Sequence, residues 1–463
     1  MGETQLLAEF ALDIALETPP LHVRNAAAAC LLDSVGCALG GTGTWLGQQM
    51  IAFALEQGGH PHATVIGAGD AKLPPMTAAL VNGQLSNALD FDDTYLDLGH
   101  TGTAVVPAAM AIAERMDASG AELRAAIIAG YEVANRVGFA ARPSDERYRV
   151  LYPVGWHSFG AAAAAGRLLR LTPRQMECAF GITLEHMQVA TTITSETVHG
   201  FKAGKLGQAS ALGIMAALLA AKGFEGKRKA LDADGAFWLA MGSDRVDGSR
   251  LTEGLGTRWT IDEMSFKPFP SCRMTHPALQ AAAVVKARYR LAPTDIRSIQ
   301  VRTFSRMLQL TAPEPLSSEA IPFSLPSTMG MLLRGIDGGA QWADVAVACH
   351  PETVSLARRI EVIGEERFDR RVDETGTLPA EVVFELADGQ VVSHTELDAP
   401  WSAQSSVSTE ELMPKFLGMA VPALGDQAHD LADALRSLAL EDPLSTRRIT
   451  DLLHPHTVRA RMA

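Results

Sequence analysis

Residues 160–169 read Gly-Ala-Ala-Ala-Ala-Ala-Gly-Arg-Leu-Leu. Alanine is the strongest helix former because it loses no side-chain entropy on folding. The run Ala161–Ala165 has no polar face, so the helix it forms belongs in an interior, packed on several sides. Its small side chains let neighbouring helices come close. The same texture extends in both directions. Ala26–Leu39, Met76–Leu89, Val105–Met116, Ala121–Val137, Thr172–Gly181 and Ala209–Gly223 are rich in alanine, leucine and isoleucine. Thr172-Pro173 supplies an N-cap followed by proline at the first helical position, and Gly223 can end a helix. Residues 1–258 therefore read as a helical domain.

The texture changes after about residue 290. Ser298–Arg302 and Arg359–Ile363 alternate with β-branched residues and read as strands. Glu381–Leu386 and Gln390–Leu397 flank Ala387-Asp388-Gly389, a hairpin signal. Helical segments fall near Pro277–Ala287, Ser327–Arg334 and Thr353–Arg358. This predicts an α+β unit over 259–401. The segment 402–463 turns helical again and is expected to return to the first domain, leaving the α+β unit as an inserted cover. The fold class is mainly α: a large all-helical domain with a smaller α+β lid domain.

Bulk properties narrow the function. A chain of 463 residues is too long for one small core. With 47% hydrophobic and 20% charged residues it reads as globular and well packed. A formal net charge of −13 argues against nucleic acid as a partner, which needs a basic face. It also means that an anionic substrate must be held by a local cationic pocket. The five cysteines are scattered, which suggests neither a disulfide framework nor paired zinc ligands, so a reducing cytoplasm is expected. Glu3, Glu9 and Asp13 do not fit an ordinary signal peptide. The apolar stretch Ala209–Ala221 is too short to span a bilayer, so no membrane partner is expected.

Four constellations carry chemistry. Residues 87–100, Asn-Ala-Leu-Asp-Phe-Asp-Asp-Thr-Tyr-Leu-Asp-Leu-Gly-His, place Asp90, Asp92, Asp93, Asp97, Thr94 and His100 together. Closely spaced carboxylates repel and resist burial. On a continued helix Asp90, Asp93 and Asp97 would share one face. The run His199–Gly207 sets Lys202 and Lys205 at a helix N-terminus, where backbone N–H groups and the dipole favour an anion. Ser265–Pro277 is a proline-stiffened loop with Lys267, Cys272, Arg273 and His276. His276 stands at the cap of the helix beginning at Pro277, which favours a neutral imidazole and a role as base. Lys267 and Arg273 are suited to carboxylates, Arg273 in a bidentate manner. His157, in Gly155-Trp-His-Ser158, stands at the entrance of the alanine-rich helix as a further proton carrier. For each histidine the plain alternative is a structural role. His60-Pro-His62 is a weak metal signal with no third ligand nearby. The cysteines are not spaced for an iron–sulfur cluster. There is no serine elbow, His-Glu-x-x-His or Walker loop.

Taken in order, Ala88-Leu-Asp-Phe-Asp-Asp-Thr94, His100 with the Pro107 segment, Gly155-Trp-His157, Gly160–Leu169, Lys202–Gly226, Lys267–Pro277 and Phe323-Ser-Leu-Pro326 resemble the MmgE/PrpD family. That family comprises 2-methylcitrate dehydratases, cis-aconitate decarboxylases and an iminodisuccinate epimerase. The resemblance implies a helical domain with an α+β lid, a homodimer, and no metal or organic cofactor. It also implies an active-site set of Asp90, Thr94, His100, His157, Lys202 and His276, with Lys267 and Arg273 at the lid's rim. This chain departs from the common pattern at Asn87 (often histidine), Lys205 (often histidine), Ser327 (often tyrosine), and in the short connection after His157.

These readings together predict a lyase, dehydratase or decarboxylase, acting on a small di- or tricarboxylate by proton abstraction next to a carboxylate. Lys202, Lys205 and Arg273 would hold carboxylates. His276 or His157 would be the base, and His100 the acid. Asp90 would orient or protonate, with Thr94 donating a hydrogen bond. Asp92 and Asp97 read as solvated or structural. The alternatives are an epimerase of an imino- or hydroxydicarboxylate and a non-catalytic carboxylate-binding relative.

Overall fold

The computed structural model describes every residue except 1, 15–18, 97, 145–146, 148–151, 188–189, 192–201, 203, 233–235, 316 and 455–463. Asp97 and most of His199–Ala203 thus lie outside the described residues, whereas Lys202 is described. The chain is mainly helical, with a smaller α+β part. Its longer helices are α1 (Glu3–Asp13), α2 (Leu21–Gly41), α3 (Trp45–Gln57), α4 (Pro75–Asn87), α5 (Gly102–Met116), α6 (Gly120–Ala140), α7 (His157–Leu168), α8 (Pro173–His186) and α9 (Gly204–Ala221). After these come α10 (His276–Tyr289), α11 (Leu325–Arg334), α12 (Glu366–Thr375), α13 (Thr409–Leu424) and α14 (Gln427–Arg436).

The alanine-rich helix α7 is buried along nearly its whole length and packs against α5, α6 and α9. Closeness is set by glycine. A Cβ on Gly160 would stand 2.5 Å from the Gly130 carbonyl oxygen of α6. The α4–α9 crossing is as tight: a Cβ on Gly207 would lie 2.1 Å from the Leu80 carbonyl oxygen. Thr172 caps α8 through a capping box with Gln175. Residues 1–258 are not helical throughout, because Ala63–Thr64 pairs with Lys72–Leu73 as a short antiparallel ladder.

Four strands form one sheet: β1 (Ile296–Thr303), β2 (Ile360–Gly364), β3 (Ala380–Leu386) and β4 (Val391–Glu396), in the order β4-β3-β1-β2. β1 runs parallel to β2 and antiparallel to β3, with Val301 opposite both Val362 and Val382. Ala380, Val382, Phe384 and Leu386 alternate onto one buried face, where α10 packs across the sheet.

The buried apolar side chains gather in two large clusters. One draws on residues 7–266 and again on 412–453, and the other on 278–392. A small third cluster joins Cys37, Leu89, Phe91 and Met419, with Ala340 and Ala343 packed on it. Among the described residues no single helix is long and apolar enough to cross a membrane.

Candidate active site

The site is built by three local devices. Helix α4 ends at Asn87, and Asp90 adopts a left-handed backbone with φ 49°. Aspartate tolerates this conformation better than most residues, and it turns the chain off the helix axis. The shared helical face is therefore corrected for Asp90 and Asp93, which follow the helix in a loop; Asp97 lies outside the described residues. Next, Thr94-Tyr95 pairs antiparallel with Met264-Ser265, Thr94 opposite Ser265. This brings Lys267 onto Asp90, where Nζ donates to the Asp90 backbone carbonyl at 2.6 Å and to Oδ2 at 2.9 Å. Finally, the Gly83–Gly207 crossing sets the start of α9 beside the end of α4. From there Lys202 Nζ donates to Asn87 Oδ1 at 3.1 Å and to Asp90 Oδ1.

His100 completes the group. Its Nδ1–H donates to Asp92 Oδ2 at 2.7 Å, which fixes the tautomer and leaves Nε2 with a lone pair. Nε2 lies 3.4 Å from Lys202 Nζ and 3.6 Å from Asp90 Oδ1. Asn87 Nδ2 donates to the other Asp92 oxygen at 2.7 Å. Of the two expectations for Asp92, solvated or structural, its full burial removes the solvated one, and it orients His100. Asn87 and Asp92 are the residues missed as site members. Their signal was membership of the same short segment, since α4 ends at Asn87 and Asp92 precedes His100 by eight residues.

Charge follows from these contacts. Burial alone would raise the Asp90 pKa, but Lys202, Lys267 and His100 hold it far below the usual carboxylate range. Burial would raise Asp92 too, but His100 and Lys267 together hold it below the usual carboxylate value. Burial pulls Lys267 down, yet Asp90 and Asp92 leave it above the ordinary lysine value. Burial lowers His100, with Lys202 and Lys267 adding to it against Asp92. Asp93, next door, is pushed up to about 7 by burial and by Asp33. It accepts from Gly102 N at 2.9 Å and from the Tyr131 hydroxyl at 2.6 Å, behind the site.

A cavity of about 80 Å³ opens at these groups. Its wall includes Asp90, Thr94, His100, Lys202, Lys267, Cys272 and Arg273, together with Arg306, Gln309 and Phe323. Among the described residues of this wall four cations thus accompany one aspartate, which is the local cationic pocket that an acidic chain needs for an anion. Among the described residues the buried Thr94 hydroxyl has no hydrogen-bond partner. Burial and Asp90 raise the Cys272 thiol pKa, which disfavours the thiolate that a nucleophile needs.

Three predicted residues stand outside this wall. His157 is fully buried, accepts the His100 backbone N–H at Nε2 (3.2 Å), and donates from Nδ1 to the Val154 carbonyl (2.7 Å). Both nitrogens are engaged and burial lowers its pKa to about 3, so its role as base is corrected to a support for His100. His276 donates from Nε2 to the Ser271 carbonyl at 3.1 Å. Burial, Arg273 and Lys267 keep it neutral, but it is the first residue of α10 and lies behind the wall. Lys205 lines a different pocket, with His186, Ser158 and Met215. Arg273 reaches the cavity, but its Nη1 already donates to the Phe266 and Pro400 carbonyls at 3.1 and 2.7 Å. The expected bidentate carboxylate grip is corrected to a guanidinium tied to backbone, its pKa drawn down by burial to about 10. Among the described residues no group of three or more histidine, cysteine or acidic side chains is placed to hold a metal ion.

Residues 5–247 match the MmgE/PrpD N-terminal domain and residues 269–440 the MmgE/PrpD C-terminal domain. The chain is 31% identical to the cis-aconitate decarboxylase of Homo sapiens, covering 89% of this chain and 87% of that protein. It is 27% identical to the enzyme of the same name from Aspergillus terreus, covering 97% and 94%. For that of Mus musculus the identity is 31%, over 93% and 88%.

Proposed function

The chain belongs to the MmgE/PrpD family, and from that premise we propose that it is a lyase releasing carbon dioxide from a small unsaturated tricarboxylate, cis-aconitate or a close analogue. The observation that carries the reading is His100 Nε2, held by Asp92 and facing a cavity with four cations. The relatives named above support decarboxylation over the other reactions of the family.

In such a substrate one carboxylate leaves as carbon dioxide. The electron pair of the broken C–C bond moves through the double bond to the carbon beside a remaining carboxylate, and that carbon takes up a proton. Lys202, Lys267 and Arg306 hold the carboxylates and stabilise the charge that develops beside them, and the backbone-tied Arg273 adds its positive charge to the wall. The Thr94 hydroxyl donates to one of them. Substrate carboxylates arriving at Nε2 favour the imidazolium, which Asp92 stabilises from the other side. His100 then delivers the proton as general acid. Asp90 holds the two lysines in place.

The test is turnover of cis-aconitate in deuterium oxide, followed by proton NMR. The expected product shows two new vinylidene protons and a deuteron on the carbon next to the remaining carboxylate. His100→Gln and Asp92→Asn are expected to lower kcat by about 100-fold or more with the fold intact. No consumption by the wild type overturns the proposal, as does wild-type activity in His100→Gln. Proton exchange without carbon dioxide would point to epimerisation, and water loss from methylcitrate to dehydration.

A further inference from the structure

Beneath the site lies a buried ion pair that the mechanism leaves unused. Lys415, on α13, sends its ammonium between two partners from distant parts of the chain. Nζ lies 2.6 Å from Asp33 Oδ1 on α2 and donates to the Phe91 backbone carbonyl at 2.5 Å. It also sits 4.1 Å from the centroid of the Phe91 ring. The side chains of Lys415 and Asp33 are 4% and 0% exposed, so water does not compete for either charge. Phe91 lies between Asp90, which both active-site lysines grip, and Asp92, which orients His100. Its ring packs with Cys37, Leu89 and Met419, under Ala340 and Ala343.

We propose that Lys415 is a positioning residue: through the Phe91 carbonyl it fixes the loop that carries Asp90 and Asp92, and so sets His100 and Lys202 in register for catalysis. The inference rests on reading the cavity as the active site. Asp90 has a left-handed backbone in a short loop, and such a conformation persists only where its surroundings over-determine it. Lys267 holds the Asp90 carbonyl from the cavity side, and Lys415 holds the next carbonyl from the core side. Together they clamp two consecutive peptide units. The charge of Lys415 is balanced by Asp33, so neutralising both members at once removes the clamp without stranding a buried charge.

The experiment compares wild type, Lys415→Met and the double variant Asp33→Asn/Lys415→Met as full chains. Misplacing catalytic groups by about 1 Å costs on the order of 100-fold. We expect the double variant to melt near the wild type, yet to lose about 10–100-fold in kcat on cis-aconitate with KM little changed. Its His100 ring protons should titrate at a pH different from wild type. A folded double variant with wild-type kcat and His100 titration overturns the inference. Loss of the fold in both variants does too, since Lys415 would then serve the core as a whole. If the wild type itself leaves cis-aconitate unchanged, the proposed reaction fails, and the His100 titration alone decides the positioning role.

Discussion

Asp92 and Asp93 are neighbours in sequence and opposites in the fold. Both are buried, but Asp92 faces His100 with Lys267 near, whereas Asp93 faces Asp33 and a tyrosine hydroxyl. Environment therefore drives one carboxyl down and the other up to about 7. No reading of Asp-Phe-Asp-Asp could separate them, because the partners that decide come from residues 33, 100, 131 and 267. Asp93 carries a consequence for stability. Its unfolded value is near 3.8, so below that both states hold the proton. Between there and about 7 the unfolded chain has released the proton while the folded chain keeps it. Over that window stability falls as pH rises. Asp93→Asn keeps an acceptor for Gly102 N and has no such proton to lose. Denaturant unfolding is expected to show a flatter pH dependence for Asp93→Asn across this range. At about pH 8 the variant should gain a few kcal/mol over wild type, at about 1.4 kcal/mol for each tenfold change in acidity. A variant that keeps the wild-type slope would show that another group sets it.

At the scale of elements, the helices and strands were legible wherever composition alone decides. Alanine runs mark buried helices, and alternation marks β1 to β4, because each reports on local periodicity. The site was legible in part. Asp90, Thr94, His100, Lys202, Lys267 and Arg273 do meet in one cavity wall. His157, His276 and Lys205 do not line it, since a helix entrance is compatible with a pocket, a buried support or another surface alike. What sequence does not encode locally is the helix crossing that brings Lys202 to Asp90. That crossing rests on Gly83 and Gly207, where a Cβ on Gly83 would stand 2.8 Å from Gly207 Cα. Gly207→Val would meet the Leu80 carbonyl at 2.1 Å, and backbone cannot yield as a flexible side chain can. Overpacking of this kind costs about 1–3 kcal/mol. The expected result is a folded, less stable protein in which α9 has moved away from α4. Turnover should fall by about 100-fold, since Lys202 moves with the helix start. Wild-type kcat in a folded Gly207→Val would show that the crossing does not set the site.

At the scale of the molecule, the cavity draws its wall from both sides of the chain's apolar divide. Asp90, His100 and Lys202 come from the helical part, and Arg306, Gln309 and Phe323 from the sequence of the second cluster. The chain then returns. Leu412, Phe416, Leu431, Leu435, Leu438, Ile449, Leu452 and Leu453 all enter the first cluster. Arg124 on α6 donates to the carbonyls of Leu438 and Leu440 at 2.9 and 2.5 Å, tying the returning segment to the middle of the helical core. Each of those eight side chains contributes about 1.5–3 kcal/mol by burial, about 12–24 kcal/mol together. A domain is stable by only about 5–15 kcal/mol. Removal of residues 402–463 therefore exceeds what the helical core can lose, even though residues 1–401 retain every side chain assigned to the cavity. The truncated chain is expected to lose near-ultraviolet circular dichroism and cooperative melting as well as turnover. The alternative outcome is a truncated protein that melts cooperatively and lacks activity alone. That would mean the returning segment acts through Lys415 on the Phe91 carbonyl and adds little to the core, so the two measurements separate its packing from its grip on the site.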